Sequence, residues 1–329
     1  MASRAVVAVY VSFSDAAAVS ALRITATRDR AADGPVLLHS MCDGLYDRTS
    51  IVLEGSLGDS GLAAVAGDVL AAAIAAPPRA PRAPAGRRAP HPRLGVVDHV
   101  AVQLLGDVDE AGRTAAAACA NDIARSAEAL GVGVQRYGWA SEDGVTLAEL
   151  RRRAGYFRPG GDAIGHAACT VGASEPVLNY NLAFAVPEDA EGAERVRRWL
   201  ARSVGRGCSE RGGGLEGVES ATLHHGEGEV EVACNLTAVG RGGAGPADVM
   251  RLCSELHRGA ARPAGFCGDG GDGAKAPGRL FSRLRGGYVI GVMPSRAASR
   301  AGRIRRGEEE PLLQTPHGLA AAAATPPAR

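Results

Sequence analysis

The residues best suited to chemistry stand together at His91-Pro92-Arg93-Leu94-Gly95, with Asp98 three positions beyond the glycine. An imidazole with an ordinary pKa can both take and return a proton near neutral pH, and a guanidinium offers five donors in a fixed fork that fits a carboxylate. The set points to proton transfer on an anionic small molecule, and a merely solvated loop is the competing reading of the same residues. Other chemistry-bearing residues carry less. His166 and Cys169 have no further ligands at metal spacing, so they are read as lining residues and no metal is expected. His224 and His225 are neighbours on an expected strand, where adjacent side chains point to opposite faces and cannot share one ion. Gly212-Gly213-Gly214 is followed by no helix-start signature and reads as a plain turn rather than a phosphate cradle.

The elements that must position these residues follow from apolar patterning. Val6 to Val11 reads as a strand, Ala16 to Thr27 as a helix capped by Ser14-Asp15, and the short runs Val36 to Leu38 and Ile51 to Leu53 as two strands joined by a turn-rich loop. A helix from Asp59 to Ala76, a strand from Val96 to Leu105, a helix from Asp109 to Leu130 and a strand from Val132 to Tyr137 complete a βαββαβ order with an added αβ. The order begins again with a strand from Val177 to Val186, a helix from Glu188 to Val204, strands from Val218 to His225 and Glu229 to Thr237, and a helix from Pro246 to Ala260. The fold class expected is therefore α/β (α+β), two βαββα halves in 1–174 and 175–266, the second of them incomplete. Residues 76–90 form a flexible Arg/Pro insert and 267–329 a disordered tail, because Pro and Gly at that density leave too little apolar surface to offset ordering entropy.

Composition narrows the function further. Aromatics make up only 4% of the chain, so the core is expected to be built from small aliphatic side chains. A formal net charge of +1 argues against a nucleic-acid protein, although arginines at 79–88 and 296–306 could make local phosphate contacts. Seven scattered cysteines without a C-x-x-C pair fit a reducing compartment, and the apolar N-terminal stretch is too short to span a bilayer. The expected location is cytoplasmic, without membrane or nucleic-acid partners, and a homodimer is the candidate assembly.

Several motifs in order resemble the formiminotransferase family. His91 to Asp98 is similar to its HPR-hydrophobic-G-x-x-D segment. Tyr137-Gly138, then Leu150-Arg151-Arg152, then Gly155-Tyr156-Phe157-Arg158-Pro159 resemble the stretch after its central strand. Gly172-Ala173 with Asn179-Tyr180-Asn181 resembles the opening of its second lobe, and Arg211 to Leu215 with His225-Gly226-Glu227 resembles plant members in particular. The resemblance covers about Ala5 to Phe266. It implies two ferredoxin-like βαββαβ subdomains, stacked, with a folate channel, and transfer of a formimino group from N-formiminoglutamate to tetrahydrofolate as co-substrate. His91 matches the family's catalytic histidine. Arg48, Arg93, Asp98, Gly165, His166, Gly172 and Asn181 fall to the substrate and folate set, with Arg48 and Arg93 the candidates to hold carboxylates. Only the transferase-type module is expected, without the cyclodeaminase module of larger animal members.

Departures from the pattern support a second reading, a folate-binding relative that keeps the fold without turnover. Arg87, Ala89 and Pro90 replace the family's H-x-G-x-H approach to the HPR motif. An acidic residue expected in the first hairpin falls on Met41, with Asp43 reached only by a shift, and no amphipathic final helix closes the second lobe.

Overall fold

The computed structural model describes residues 3–28, 33–58, 61–76, 94–153, 168–226, 228–239, 242–258 and 282–315. His91, Arg93, Gly165, His166 and most of the 76–90 insert lie outside them. The chain divides into two compact units, one formed by Met1–Pro176 with Gly291–Thr315 and the other built on Val177–Ile290.

In the first unit the strands are β1 (Arg4–Val11), β2 (Val36–Asp43), β3 (Arg48–Ser56), β4 (Val97–Leu105), β5 (Gly133–Gly138), β6 (Ala168–Ser174) and β11 (Leu312–Gln314), in the order β11-β2-β3-β1-β4-β6-β5. The antiparallel core β4-β1-β3-β2 is the ferredoxin-like arrangement, in which the β1-crossover-β2 unit is split by β3. β6 and β5 extend it in parallel beyond β4. The helices α1 (Ala16–Thr27), α2 (Gly61–Ala75) and α3 (Glu110–Ala129) cover one face. Asp15 and Asp109 start α1 and α3 by accepting the N–H of Ala18 and Gly112, which satisfies one orphan donor at each helix start. α2 lies between α1 and α3 and is buried on most sides, which explains why alanine, valine and leucine dominate its sequence. The enclosed core on this face holds no aromatic ring, as composition predicts.

The second unit repeats the order. Strands β7 (Leu178–Ala185), β8 (Val218–His224), β9 (Glu229–Leu236) and β10 (Arg283–Ile290) form an antiparallel sheet β10-β7-β9-β8. Two amphipathic helices cover one face, α5 (Ala190–Leu200) and α6 (Pro246–Arg258); the chain continues from α5 through a π-type turn at Ala201–Gly205. A short helix, α4 (Leu147–Arg153), lies between β5 and β6 in the first unit. The fold class is thus mixed α/β with two ferredoxin-like halves.

Residues 282–315, part of the stretch expected to be an unstructured tail, are corrected by these elements. β10 supplies the fourth strand that completes the second unit, and α7 (Pro294–Arg305) with β11 returns to the first. Composition hid them because α7 buries only two alanines, Ala297 and Ala301, one turn apart among arginines. Those methyls pack on Val6, Ala8, Leu38, Val52 and Ala101, on the sheet face opposite α1 to α3. Arg305 Nη2 lies 2.8 Å from the buried Glu54 carboxylate, which Arg4 also holds, and Gln314 bonds His39 as β11 pairs with β2.

A helix seated through two methyl groups leaves no room for larger ones. Ala301→Leu is expected to lose about 1–3 kcal/mol of stability through overpacking, whereas Ala298→Leu on the exposed side should stay within about 0.5 kcal/mol. Urea unfolding of the two variants checks this; equal midpoints would contradict the packing.

Candidate functional site

The site begins with a break in the register of β4. Tyr10 pairs with His99 and Val11 with Val97, so Asp98 is the extra residue of a β-bulge. Bulges re-aim a side chain out of the regular alternation. Here the Asp98 carboxylate is fully buried and accepts the Leu94 N–H at 2.7 Å. Arg48, the first residue of β3, pairs with it, and Arg151 Nη2 from α4 lies 3.8 Å from the same Oδ2. Both guanidinium groups are largely buried, and both approach one carboxylate beside the chain that resumes after Arg93.

Three loops are pinned around this point. Asp47, whose φ of 49° puts it in the left-handed region, accepts the Ser14 N–H at 2.9 Å and the Ser14 hydroxyl at 2.8 Å. Thr49 donates to the Phe13 carbonyl at 2.8 Å, and Ser12 donates to Val96 at 2.8 Å. Asp43 accepts the N–H groups of Leu45 and Tyr46, closing its own turn. Arg48 is therefore held at the start of β3 by a hairpin stapled to the end of β1.

Beside the bulge, the His99 ring stacks on Tyr10 at a centroid distance of 5.4 Å and meets Tyr137 at the same distance. Its Nδ1 bonds the Thr170 hydroxyl at 3.0 Å. Burial, reinforced by Arg151, lowers its pKa from 6.5 to about 3, so it is a neutral imidazole. Two glycines make the close approaches possible. A Cβ on Gly95 would lie 2.4 Å from the Ala168 carbonyl oxygen, and one on Gly172 would lie 2.4 Å from the Tyr137 ring. The described chain thus resumes at Leu94-Gly95 and at Ala168 at two points that touch, one following His91-Pro92-Arg93 and the other following Gly165-His166.

Of the residues singled out in sequence, Arg48 and Asp98 are brought together. Gly172 lies on β6, opposite Ala101 of β4, and the room it leaves is filled by Tyr137. Asn181 belongs to the second unit, where its amide donates to Glu231 at 2.9 Å. Cys169 is a buried thiol whose pKa burial pushes up to about 12, which removes it as a nucleophile. His224 and His225 point apart, to Glu194 and Glu229 respectively. The N–H groups of Gly212, Gly213 and Gly214 bond Ser209 and Glu210 carbonyls, so that stretch is a turn. Within 296–306, Arg300, Arg303, Arg305 and Arg306 are ion-paired to glutamates, which leaves less charge for phosphates. No helix among the described residues is long and apolar enough to cross a membrane. Sequence reasoning gave no role to Arg151, His99 or Tyr10; Arg151 carried two signals, a basic run on a seven-residue helix and its place in the Leu150-Arg151-Arg152 match.

Two outcomes follow from the buried charges. Asp98→Ala leaves two enclosed guanidinium groups without their carboxylate and is expected to cost about 3–5 kcal/mol, read from urea unfolding at pH 7. The second concerns His99 and His39, whose pKa burial lowers to about 4. As pH falls below 6.5 the unfolded chain protonates both rings while the folded chain does not, so stability drops by about 1.4 kcal/mol per pH unit for each. A urea midpoint unchanged from pH 7 to pH 5 would contradict this.

Comparison with known proteins adds the last observation. The family model described as the formiminotransferase domain, N-terminal subdomain, matches residues 6–181, just over half the chain. A formiminotransferase cyclodeaminase-like protein of Arabidopsis thaliana is 35% identical over 173 residues, which cover 44% of this chain and 54% of that protein. The match thus spans about half the length of this relative.

Proposed function

We propose, from the premise that the chain belongs to the formiminotransferase family, that it performs the folate-dependent one-carbon chemistry typical of that family. The finer reading is transfer of a formimino group from N-formiminoglutamate to tetrahydrofolate. The supporting observation is the Asp98 cluster, where one buried carboxylate orients Arg48 and Arg151 and anchors the backbone at Leu94, three residues after His91. A cationic pair beside the end of the His-Pro-Arg segment suits substrates that carry carboxylates, as both the donor amino acid and folate do.

In this reading His91 moves the protons. The folate amine attacks the amidine carbon of the donor; a proton must leave the attacking nitrogen and another must reach the nitrogen that departs with the amino acid. One imidazole relays both. In this reading Arg48, Arg93 and Arg151 hold carboxylates and keep the two substrates in register, and Gly165 and His166 fall to the folate set. His99 remains neutral and so adds no further cation, serving to fix Tyr10, Tyr137 and Thr170 around the bulge.

One observation favours the reading without turnover. Met41, at the position of the expected acidic residue, is buried, and Asp43 is engaged by its own turn. A transfer assay paired with calorimetric titration of reduced folate separates the two. His91→Ala should abolish transfer and leave folate affinity within a few-fold. Arg151→Gln should raise KM for the donor about 10–100-fold, the loss of one charged hydrogen bond. An unmodified chain that binds reduced folate but transfers nothing would establish the second reading, and one that does neither would remove both.

A further inference from the structure

The second unit contains a buried cluster that the proposed reaction does not use. β8 turns back into β9 through Gly226 and Gly228, whose φ values of 78° and 70° lie in the left-handed region, and this register sets His225 opposite Glu229, with its N–H donating to the Glu229 carbonyl at 3.0 Å. Glu229 and Glu231 are two apart on β9 and therefore share a sheet face. The result is that His225 Nδ1 lies 2.8 Å from Glu229 Oε1 and 3.5 Å from Glu231 Oε1, with all three donor atoms within 4.8 Å of one another. His225 is 2% exposed and Glu231 is fully enclosed.

From this geometry we infer that His225, Glu229 and Glu231 form a site for a divalent transition-metal ion of the zinc class. Three observations carry it. The spacing is right, because ligands around a tetrahedral ion with bonds of about 2.0–2.1 Å stand roughly 3.3 Å apart, between the two distances seen. The ligands are oriented from outside. Asn181 donates to Glu231 Oε2 at 2.9 Å, the Tyr288 hydroxyl bonds Glu231 Oε1, and Arg285 bonds Glu229 Oε2 at 3.0 Å, which turns both Oε1 atoms toward the imidazole. Outer partners of this kind fix the direction of metal-binding carboxylates. Donor chemistry is the third. His225 offers a ring nitrogen and Glu229 and Glu231 a carboxylate oxygen each, and an imidazole with two carboxylates selects a transition ion over calcium or magnesium.

The inference stands apart from the folate reading and is tested without activity. The full chain, stripped with chelator, is titrated with Co²⁺ and followed by visible absorption, then challenged with Zn²⁺. One equivalent of Co²⁺ giving ligand-field bands that Zn²⁺ displaces is the expected result, with the bands lost in His225→Ala and in Glu229→Gln. Tyr288→Phe should weaken binding about 10–100-fold. Glu229 is partly exposed, so its glutamine variant keeps the fold when the buried changes do not, and circular dichroism confirms that. Absence of uptake would mean that a shared proton, not a metal, joins His225 to Glu229; that, or uptake unchanged in Glu229→Gln, would overturn the proposal.

Discussion

The first unit depends on a carboxylate that has no route to water. Asp98 is fully enclosed, and an enclosed charge is tolerable only when its partners come with it. Those partners come from three separate places: Arg48 from the start of β3, Arg151 from α4 and the Leu94 amide from the approach to β4. The requirement to satisfy one side chain therefore fixes the relative placement of a hairpin, a helix and a loop. The bulge makes this possible, since in regular alternation residue 98 would take a set place on one sheet face, and the extra residue frees its side chain to meet both guanidinium groups.

Around that charge the packing is dense and made of small groups. Gly95 lets the backbone approach Ala168, and Gly172 lets the Tyr137 ring lie across β6, so the rings of Tyr10, His99 and Tyr137 line the sheet face next to the bulge. Sheet and rings together exclude water from His99, which explains its neutrality beside two arginines. A protonated ring there would add a further positive charge beside Arg48 and Arg151.

Much of this fold is legible in the sequence wherever apolar periodicity is the controlling term. The α1 boundaries agree with the pattern from Ala16 to Thr27, and α3 needs only its caps trimmed at Asp109 and Leu130. Legibility fails where buried residues are polar or small. β2 and β3 extend well past the runs at 36–38 and 51–53, because His39, Ser50 and Glu54, buried on the face opposite the helices, and Ser40, buried on the α1 side where Arg23 bonds it, do not read as strand core. β6 was legible only as a glycine-containing stretch. β10 carries Gly286-Gly287, and Gly287 is required because a Cβ there would sit 2.0 Å from the Tyr180 hydroxyl. Motif matching named Arg48 and Asp98, which the structure pairs, and included Arg151 without a role; Arg151 and His99 come beside Asp98 only through α4 and the bulge.

Both units divide their labour between sheet faces in the same way. The helix-covered faces carry aliphatic side chains, Ile51, Leu53 and Val100 in the first and Leu182, Phe184 and Val232 in the second. The opposite faces bury polar groups: His99, Thr170 and Glu54 in the first, Asn181, Glu231 and His225 in the second. A ferredoxin-like sheet has helices on one side only, so its other side must either be solvated or be closed by partners that satisfy each buried polar atom. In this chain each of these groups has such a partner: Thr170 for His99, Arg4 and Arg305 for Glu54, Asn181 and Tyr288 for Glu231. Substitution on the aliphatic faces thus trades volume against volume, whereas substitution of a buried polar group on the opposite faces breaks a specific pairing.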